Sequence, residues 1–135
     1  MFQKLSLIGH VGREPEMRYT PSGAAVTNFS VAVNRRYMGG NGEQVEETLW
    51  VRVSAWDRLG ENCNEFLNKG QRVFVEGRLQ ADPATGGPRT YTRRDGTVGA
   101  SFEVTASTVL FLSGRGETAA DSAAAVPAEE PEIPF

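Results

Sequence analysis

The stretch TLWVRVSAW, residues 48–56, alternates two kinds of side chain and predicts a β-strand with two unlike faces. Successive side chains of a strand point to opposite sides of the sheet. The face suited to a buried core consists of Val51, Val53 and Ala55. Trp50 and Trp56 are six residues apart and therefore share the other face, with Arg52 between them. Such a face is poor core and a good surface for stacking nucleic-acid bases.

Four more strands are predicted around this one, and they define the fold class. They cover residues 4–11, 25–34, 71–80 and 101–112. Residues 58–67 place apolar side chains at helical spacing, and Lys69-Gly70 follows them as a helix end. A long loop or hairpin joins the last two strands. We predict an all-β fold, the five-stranded Greek-key barrel of the oligonucleotide/oligosaccharide-binding (OB) type with one short helix between strands three and four, although the order alone also fits another small barrel.

The net charge of −3 is divided unevenly along the chain. Residues 1–113 hold 13 Lys and Arg against 12 Asp and Glu, whereas residues 114–135 hold one Arg against five acidic residues. Beyond Ser113, aromatic and β-branched residues nearly vanish while Ala, Glu, Gly and Pro dominate. We therefore expect an OB domain at 1–113 and a disordered acidic tail at 114–135.

The last residues of the tail depart from its polar composition. We expect them to form a protein-interaction tip, consisting of Glu129, Glu130, Glu132, Ile133, Pro134 and Phe135. An acidic terminus can also serve solubility alone. Two bulky apolar side chains would not help solubility, and Pro134 limits the conformational freedom that is lost on docking. A basic pocket with an apolar floor is the partner surface that this chemistry fits.

Several function classes are disfavoured by composition and motifs. Cys63 and His10 are the single cysteine and the single histidine, so neither an internal disulfide nor a protein metal site is expected. The chain has no phosphate-binding Gly-Lys-Ser/Thr loop and no nucleophile elbow, so we predict no enzyme activity and no cofactor. No stretch is apolar enough for a signal peptide or a membrane span, which favours a soluble cytoplasmic protein.

Five motifs in the same order resemble the bacterial single-stranded DNA-binding protein family. They are LSLIGHVGREPEMRY (5–19), GAAVTNFSVA (23–32), WVRVSAWDRLGE (50–61), LNKGQRVFVEGRL (67–79) and EIPF (132–135). The resemblance implies an OB barrel, assembled as a homotetramer, that coats unpaired DNA in the cytoplasm at the nucleoid. It also implies that the C-terminal tip docks replication, recombination and repair proteins.

The resemblance assigns roles to aromatic residues at matching positions. Trp50 and Trp56 match stacking aromatics on the third strand, and Tyr37 matches another just after the second. A further family aromatic, shortly after the fourth strand, is absent from LQADPA (79–84). Tyr91, in PRTYTRRDG (88–96), is the candidate replacement because it lies among three arginines.

Cations spread over the barrel are the candidate phosphate contacts. They are Arg35, Arg36, Arg52, Arg58, Lys69, Arg72, Arg78, Arg89, Arg93 and Arg94. Surface arginines more often serve solubility, and a tryptophan on a strand is often core or subunit-interface packing. The rival interpretation is a barrel that acts chiefly as an adaptor for proteins or structured RNA. Exposed, quenchable Trp50 and Trp56 would distinguish the two, because an adaptor does not need them.

Overall fold

The structure is a computed structural model, and it describes residues 1–112. In chain order the elements are β1 (Leu5–Val11), β2 (Glu16–Tyr19), β3 (Ala25–Met38), β4 (Gln44–Trp56), α1 (Asp57–Phe66), β5 (Arg72–Leu79), β6 (Arg89–Thr92) and β7 (Val98–Phe111). The predicted domain boundary after residue 113, the acidic tail and its tip lie outside the described residues.

Five of the strands close into a barrel. They follow the order β1-β5-β7-β4-β3, and pairing of His10 and Val11 with Ala32 and Val31 closes the ring between β1 and β3. Neighbours are antiparallel except β4 and β7, which run parallel from Val51 opposite Phe102. The short strand β2 pairs with β3, and β6 forms a hairpin with β7. The predicted OB barrel, with its helix between the third and fourth long strands, is confirmed.

The core fills the barrel with apolar side chains, most of them valine, from every long strand. Its fully buried members include Val11, Phe29, Val31, Val51, Val53, Val73, Val75 and Val104. Full burial of each such side chain stabilises the fold by about 1.5–3 kcal/mol. Because the inward positions alternate along each strand, the register of the barrel also determines which side chains remain outside.

Helix α1 caps the barrel through a close backbone approach. A Cβ atom at Gly60 would overlap the carbonyl oxygen of Ala55, so a side chain there would force the helix off the sheet. The buried Thr27 hydroxyl donates a hydrogen bond of 2.5 Å to the Gly60 carbonyl. Cys63 and Leu67 bury their side chains in the same contact.

Two short strands were not predicted. Residues 16–19 and 89–92 are mainly polar and exposed, and their strand conformation depends on pairing with β3 and β7. The pairing of β6 with β7 shows that the segment between the last two predicted strands forms a hairpin. The second and third predicted strands are longer than expected, because β3 and β4 continue as an exposed two-stranded arm. No helix within residues 1–112 is long and apolar enough to cross a membrane.

Candidate functional site

The outer face of β4 carries both tryptophans. Val51, Val53 and Ala55 are buried, as the alternation predicted, while Trp50 is half-buried and Trp56 is 39% exposed. Trp56 is the last residue of the strand, and Asp57 turns the chain into α1 with a φ of +56°. Asp tolerates this left-handed conformation better than most residues do. The Trp56 side chain therefore lies at the rim of the face, beside the start of the helix.

The Trp50 ring packs against the backbone at Gly12, the residue that follows β1. A Cβ atom at Gly12 would overlap Cζ3 of the Trp50 ring and lie 2.9 Å from Oγ of Ser30. The Gly12 amide donates a 3.0 Å hydrogen bond to the Ser30 carbonyl, which fixes the glycine beneath the ring. One side of the indole is thus supported by protein, and the half-exposed remainder is available to a ligand.

A nearly buried carboxylate joins two arginines at the centre of this face. The Glu103 side chain on β7 is 8% exposed, and its Oε2 lies 3.4 Å from Nε of Arg89. Its Oε1 lies 3.9 Å from Nη1 of Arg52, and the Ser101 hydroxyl donates to Oε2 at 3.2 Å. Arg52 and Glu103 face the same side because they are partners in the parallel β4–β7 register.

Partial burial lowers the pKa of Arg52 below its ordinary value, and the Glu103 carboxylate opposes that shift. The positive charges of Arg89 and Arg18 lower the same pKa further, while Glu16 raises it. A guanidinium group remains protonated under all ordinary conditions despite such shifts. The face therefore holds a cluster of interacting charges around Arg52.

The predicted replacement aromatic belongs to the same outer face. Tyr91 on β6 pairs with Gly99 on β7, which lies an even number of residues from Glu103. A Cβ atom at Gly99 would come within 2.7 Å of the Tyr91 ring carbon Cζ and of Nη2 of Arg93. The Arg93 guanidinium lies 5.4 Å from the Tyr91 ring centroid. The glycine thus makes room for an aromatic ring and a cation beside the charged centre.

Tyr37 lies on the arm and faces the other way. Tyr37 pairs with Val45, whereas Trp50 pairs with Ala32 and shares its face. Residues 32 and 37 of β3 are an odd number of positions apart, so Tyr37 and Trp50 lie on opposite faces of the ribbon. The Arg35 guanidinium carbon is 4.5 Å from the centroid of the 39% exposed Tyr37 ring. The arm is thus a second aromatic and cationic surface, separate from the tryptophan face.

Both predicted cations of the arm have acidic partners on the neighbouring strand. Nη1 of Arg35 lies 3.3 Å from Oε1 of Glu47, and Nη2 of Arg36 lies 3.8 Å from Oε1 of Glu46. All four side chains are exposed. Exposed pairs of this kind contribute roughly 0–1 kcal/mol, so a phosphate can displace the carboxylate at small cost.

The remaining predicted cations are dispersed. Arg78 pairs with Thr105 across β5 and β7, which places it on the outer face two strands from β4. Arg58 is on α1, Lys69 and Arg94 are in loops, and Arg72 pairs with His10 at the far end of β5. The structure brings Arg52, Arg89 and Arg93 together near the predicted stacking residues and leaves the others spread over the barrel.

The region of the missing family aromatic contains a cavity of about 460 Å³. Leu79, Pro88 and Phe102 line it together with the polar side chains of Gln80 and Ser101. Phe102 is 52% exposed and adjoins Glu103 in sequence, but the sequence analysis did not single it out. Arg18 and Glu103 were not predicted either, because only strand pairing brings them near Arg52, and Ser101 belongs to the cluster through its hydrogen bond to Glu103.

A second outer surface is apolar. Ile8, Phe74 and Leu110 occupy adjacent positions on β1, β5 and β7, and Ile8 and Leu110 are more than half exposed. Strand β1 pairs with β3 only at His10 and Val11, and Gly9 lies against the Ala32 backbone, so within the described part of the chain the edge of residues 5–8 is open. An open strand edge beside an apolar row is a typical surface for pairing with another chain.

Both the sequence and the fold of this chain are similar to those of known proteins. The model of the single-strand binding protein family matches residues 2–112. A curated relative, the single-stranded DNA-binding protein of Neisseria meningitidis serogroup A, is 39% identical over 114 residues, which are 84% of this chain and 62% of the relative. Single-stranded DNA-binding protein 1 of Chlorobaculum tepidum is 44% identical over 77 residues, 57% of this chain and 48% of the relative. The chain thus spans about half to three fifths of the length of these two curated relatives.

Solved structures give the same fold. A single-stranded DNA-binding protein deletion mutant from Thermus aquaticus superposes with a TM-score of 0.65 at 31% identity, covering 84% of this chain and 51% of that one. The Plasmodium falciparum SSB complex with ssDNA gives a TM-score of 0.66 at 28% identity, covering 83% of this chain and 96% of that one.

Proposed function

We propose, because this chain belongs to the single-strand binding protein family, that it binds single-stranded DNA without strong sequence preference and protects it. Proteins of this family are non-enzymatic DNA-binding proteins, which confirms the prediction that the chain is not an enzyme. The observation that carries the proposal is the pair of indole rings on the outer face of β4, with cations beside them.

Stacking explains how such a face can bind any base. Every base has an aromatic face, and stacking on a protein ring contributes about 1–3 kcal/mol per base without reading hydrogen-bond edges. Trp50 is held by Gly12 beneath it, and Trp56 is exposed at the rim. A rigid ring loses little freedom when a base stacks on it, so Trp50 suits a fixed stacking position.

Phosphate contacts follow from the cations near these rings. Arg52, Arg89 and Arg93 surround the stretch between Trp50 and Tyr91, and Arg35 and Arg36 extend along the arm with Tyr37. We propose that the strand passes over the tryptophan face and reaches the arm. Arg58, Lys69, Arg72, Arg78 and Arg94 remain proposed contacts for flanking phosphates.

Self-association is the second part of the proposal. We infer that copies of the chain pair through the open edge of β1 and pack the apolar row of Ile8, Phe74 and Leu110 between them. Burial of exposed aliphatic side chains favours association by about 25 cal/mol per Å² of apolar area. The resemblance to the family implies a homotetramer as the final assembly.

Recruitment of other proteins is proposed from the sequence of the tail. Ile133, Pro134 and Phe135, preceded by acidic residues, can fill an apolar pocket with a basic rim on a partner. Such partners would act on unpaired DNA in replication, recombination and repair. The proposed ligand, unpaired chromosomal DNA, would place the protein at the nucleoid in the cytoplasm.

The test is titration of the full chain with a fluorescein-labelled thymine oligonucleotide, followed by anisotropy and by tryptophan fluorescence. We expect tight, salt-weakened binding with quenching, which Trp50→Ala and Trp56→Ala each reduce. Phe66→Ala removes an exposed aromatic from the end of α1 opposite to Trp56 and is the matched control. Absence of binding and quenching at low salt would exclude the stacking function and favour the adaptor interpretation.

A further inference from the structure

We propose that Glu103 is a positioning residue for DNA binding, which holds Arg52 and Arg89 in place so that phosphates meet two fixed guanidinium groups. This inference rests on the proposed single-stranded DNA binding. The Glu103 carboxylate lies at the centre of a face that is expected to attract phosphates. A lone carboxylate there would repel the ligand.

Burial and contacts show what the carboxylate does in the free protein. Glu103 is 6% exposed, and each of its oxygens lies near one guanidinium group, Oε2 at 3.4 Å from Arg89 and Oε1 at 3.9 Å from Arg52. Ser101 adds a hydrogen bond to Oε2. A buried charge is tolerated only when it is paired and hydrogen-bonded, so the two arginines and the serine together account for its position.

The cluster keeps a net positive charge. Two guanidinium groups and one carboxylate sum to +1, so the cluster still attracts an anion while the side chains are held by the ion pairs. Arg89 directs its Nε edge to Glu103, and its side chain remains 51% exposed. The planar guanidinium group has five donors, so it can bind a phosphate with its outer edge and keep its contact with the carboxylate.

The cluster of Glu103, Arg52 and Arg89 lies beside the proposed stacking rings, and this position accounts for its proposed role. Arg52 is two residues from Trp50 on the same face of β4, and Arg89 is two residues from Tyr91 on β6. A flexible arginine side chain loses rotamer freedom when it binds a phosphate, whereas one that is already fixed loses less. Glu103 therefore aligns the cations with the two stacking positions.

The test compares the salt dependence of oligonucleotide binding between variants. For single strands the slope of log K against log salt changes by about 0.7 for each phosphate contact. We expect Glu103→Ala to weaken binding at least tenfold. The slope should become less steep by about 0.7–1.4, the equivalent of losing one or two phosphate contacts. Glu103→Gln keeps an acceptor oxygen and is expected to give intermediate values. If Glu103 merely competes with phosphate, Glu103→Ala will instead bind more tightly with a steeper slope, and that result would overturn the proposal.

Controls separate positioning from folding and from the proposed function itself. Glu47→Gln removes an acidic partner of an exposed arginine on the arm and should leave the slope unchanged or steeper. Ser101→Ala loosens the same carboxylate without changing any charge, and we expect it to weaken binding about threefold; unchanged affinity in this folded variant would also refute the proposal. The double variant Arg89→Ala/Glu103→Gln should lose less oligonucleotide-binding free energy than the sum of the losses in the two single variants. If the natural chain does not bind DNA at all, the proposed function fails rather than this role of Glu103.

Discussion

Replacing Gly12 by Ala tests whether the backbone that follows β1 supports the Trp50 ring. The added methyl group would overlap ring carbon Cζ3 and lie 2.9 Å from the Ser30 hydroxyl oxygen, with a further ring carbon, Cη2, also at 2.9 Å. Three close neighbours leave the methyl group no free space, so either the indole or the strand must move. Overpacking of this kind costs about 1–3 kcal/mol of unfolding free energy. For a domain of this size that corresponds to a fall in Tm of roughly 4–12 °C.

The same displacement should weaken DNA binding. If the ring no longer presents its face, the loss of one stacking position lowers affinity by about 1–3 kcal/mol, a factor of roughly 5–150. The measurements are thermal unfolding by circular dichroism and oligonucleotide titration by anisotropy. Gly40→Ala is the matched control, because a Cβ atom at Gly40 meets nothing within 4 Å and its φ is not in the left-handed region. If Gly12→Ala equals Gly40→Ala in both Tm and affinity, the packing of Trp50 on Gly12 is refuted.

Three further outcomes are expected from other parts of the barrel. Trp56→Ala should lower oligonucleotide affinity by about 1–3 kcal/mol with little change in Tm, because its ring is 39% exposed; loss of folding in thermal scans would show instead that it is a core residue. Leu110→Glu should reduce the sedimentation coefficient to that of a smaller species, because a charge would enter the proposed apolar contact, and an unchanged coefficient would locate self-association elsewhere. Burial raises the pKa of the Cys63 thiol from 9.0 to about 11, so the native thiol should resist alkylation at pH 8.5 until the protein unfolds. The unfolded chain loses this proton near pH 9 while the folded chain keeps it, so stability should fall as pH rises from 9 to 11, unlike in Cys63→Ala.

The long strands could be predicted because burial imposes a period of two on their sequences. The alternation around Val51 and Val53 identified both the inward face and the outward tryptophans. Short strands such as β2 and β6 have no buried face of their own, so no period appears in their sequences. Their conformation is determined by hydrogen bonding to longer neighbours, which local sequence does not contain.

The proposed stacking residues were easier to predict from sequence than the residues that contact and orient them. Trp50 and Trp56 are conspicuous in sequence, and their shared face follows from spacing alone. Glu103 resembles any charged residue of an exposed strand position until β7 is placed parallel to β4. The support of Trp50 by Gly12 depends on closure of the barrel, which brings β1 against β3. The pairing of strands in the folded barrel, rather than composition, therefore determines which residues support the proposed binding side chains.

The charge distribution indicates which force dominates binding. The sequence through residue 113 has a balance of only +1, and at least four arginines of the described domain lie against carboxylates: Arg35, Arg36, Arg52 and Arg89. On the arm, each phosphate that approaches Arg35 or Arg36 must displace an exposed carboxylate, so fewer counterions are released there than the number of cations suggests. Stacking on aromatic rings meets no such competitor. If the chain binds single-stranded DNA as proposed, its affinity should depend more on the aromatic face than on net charge, and a domain so close to neutrality would still bind a polyanion.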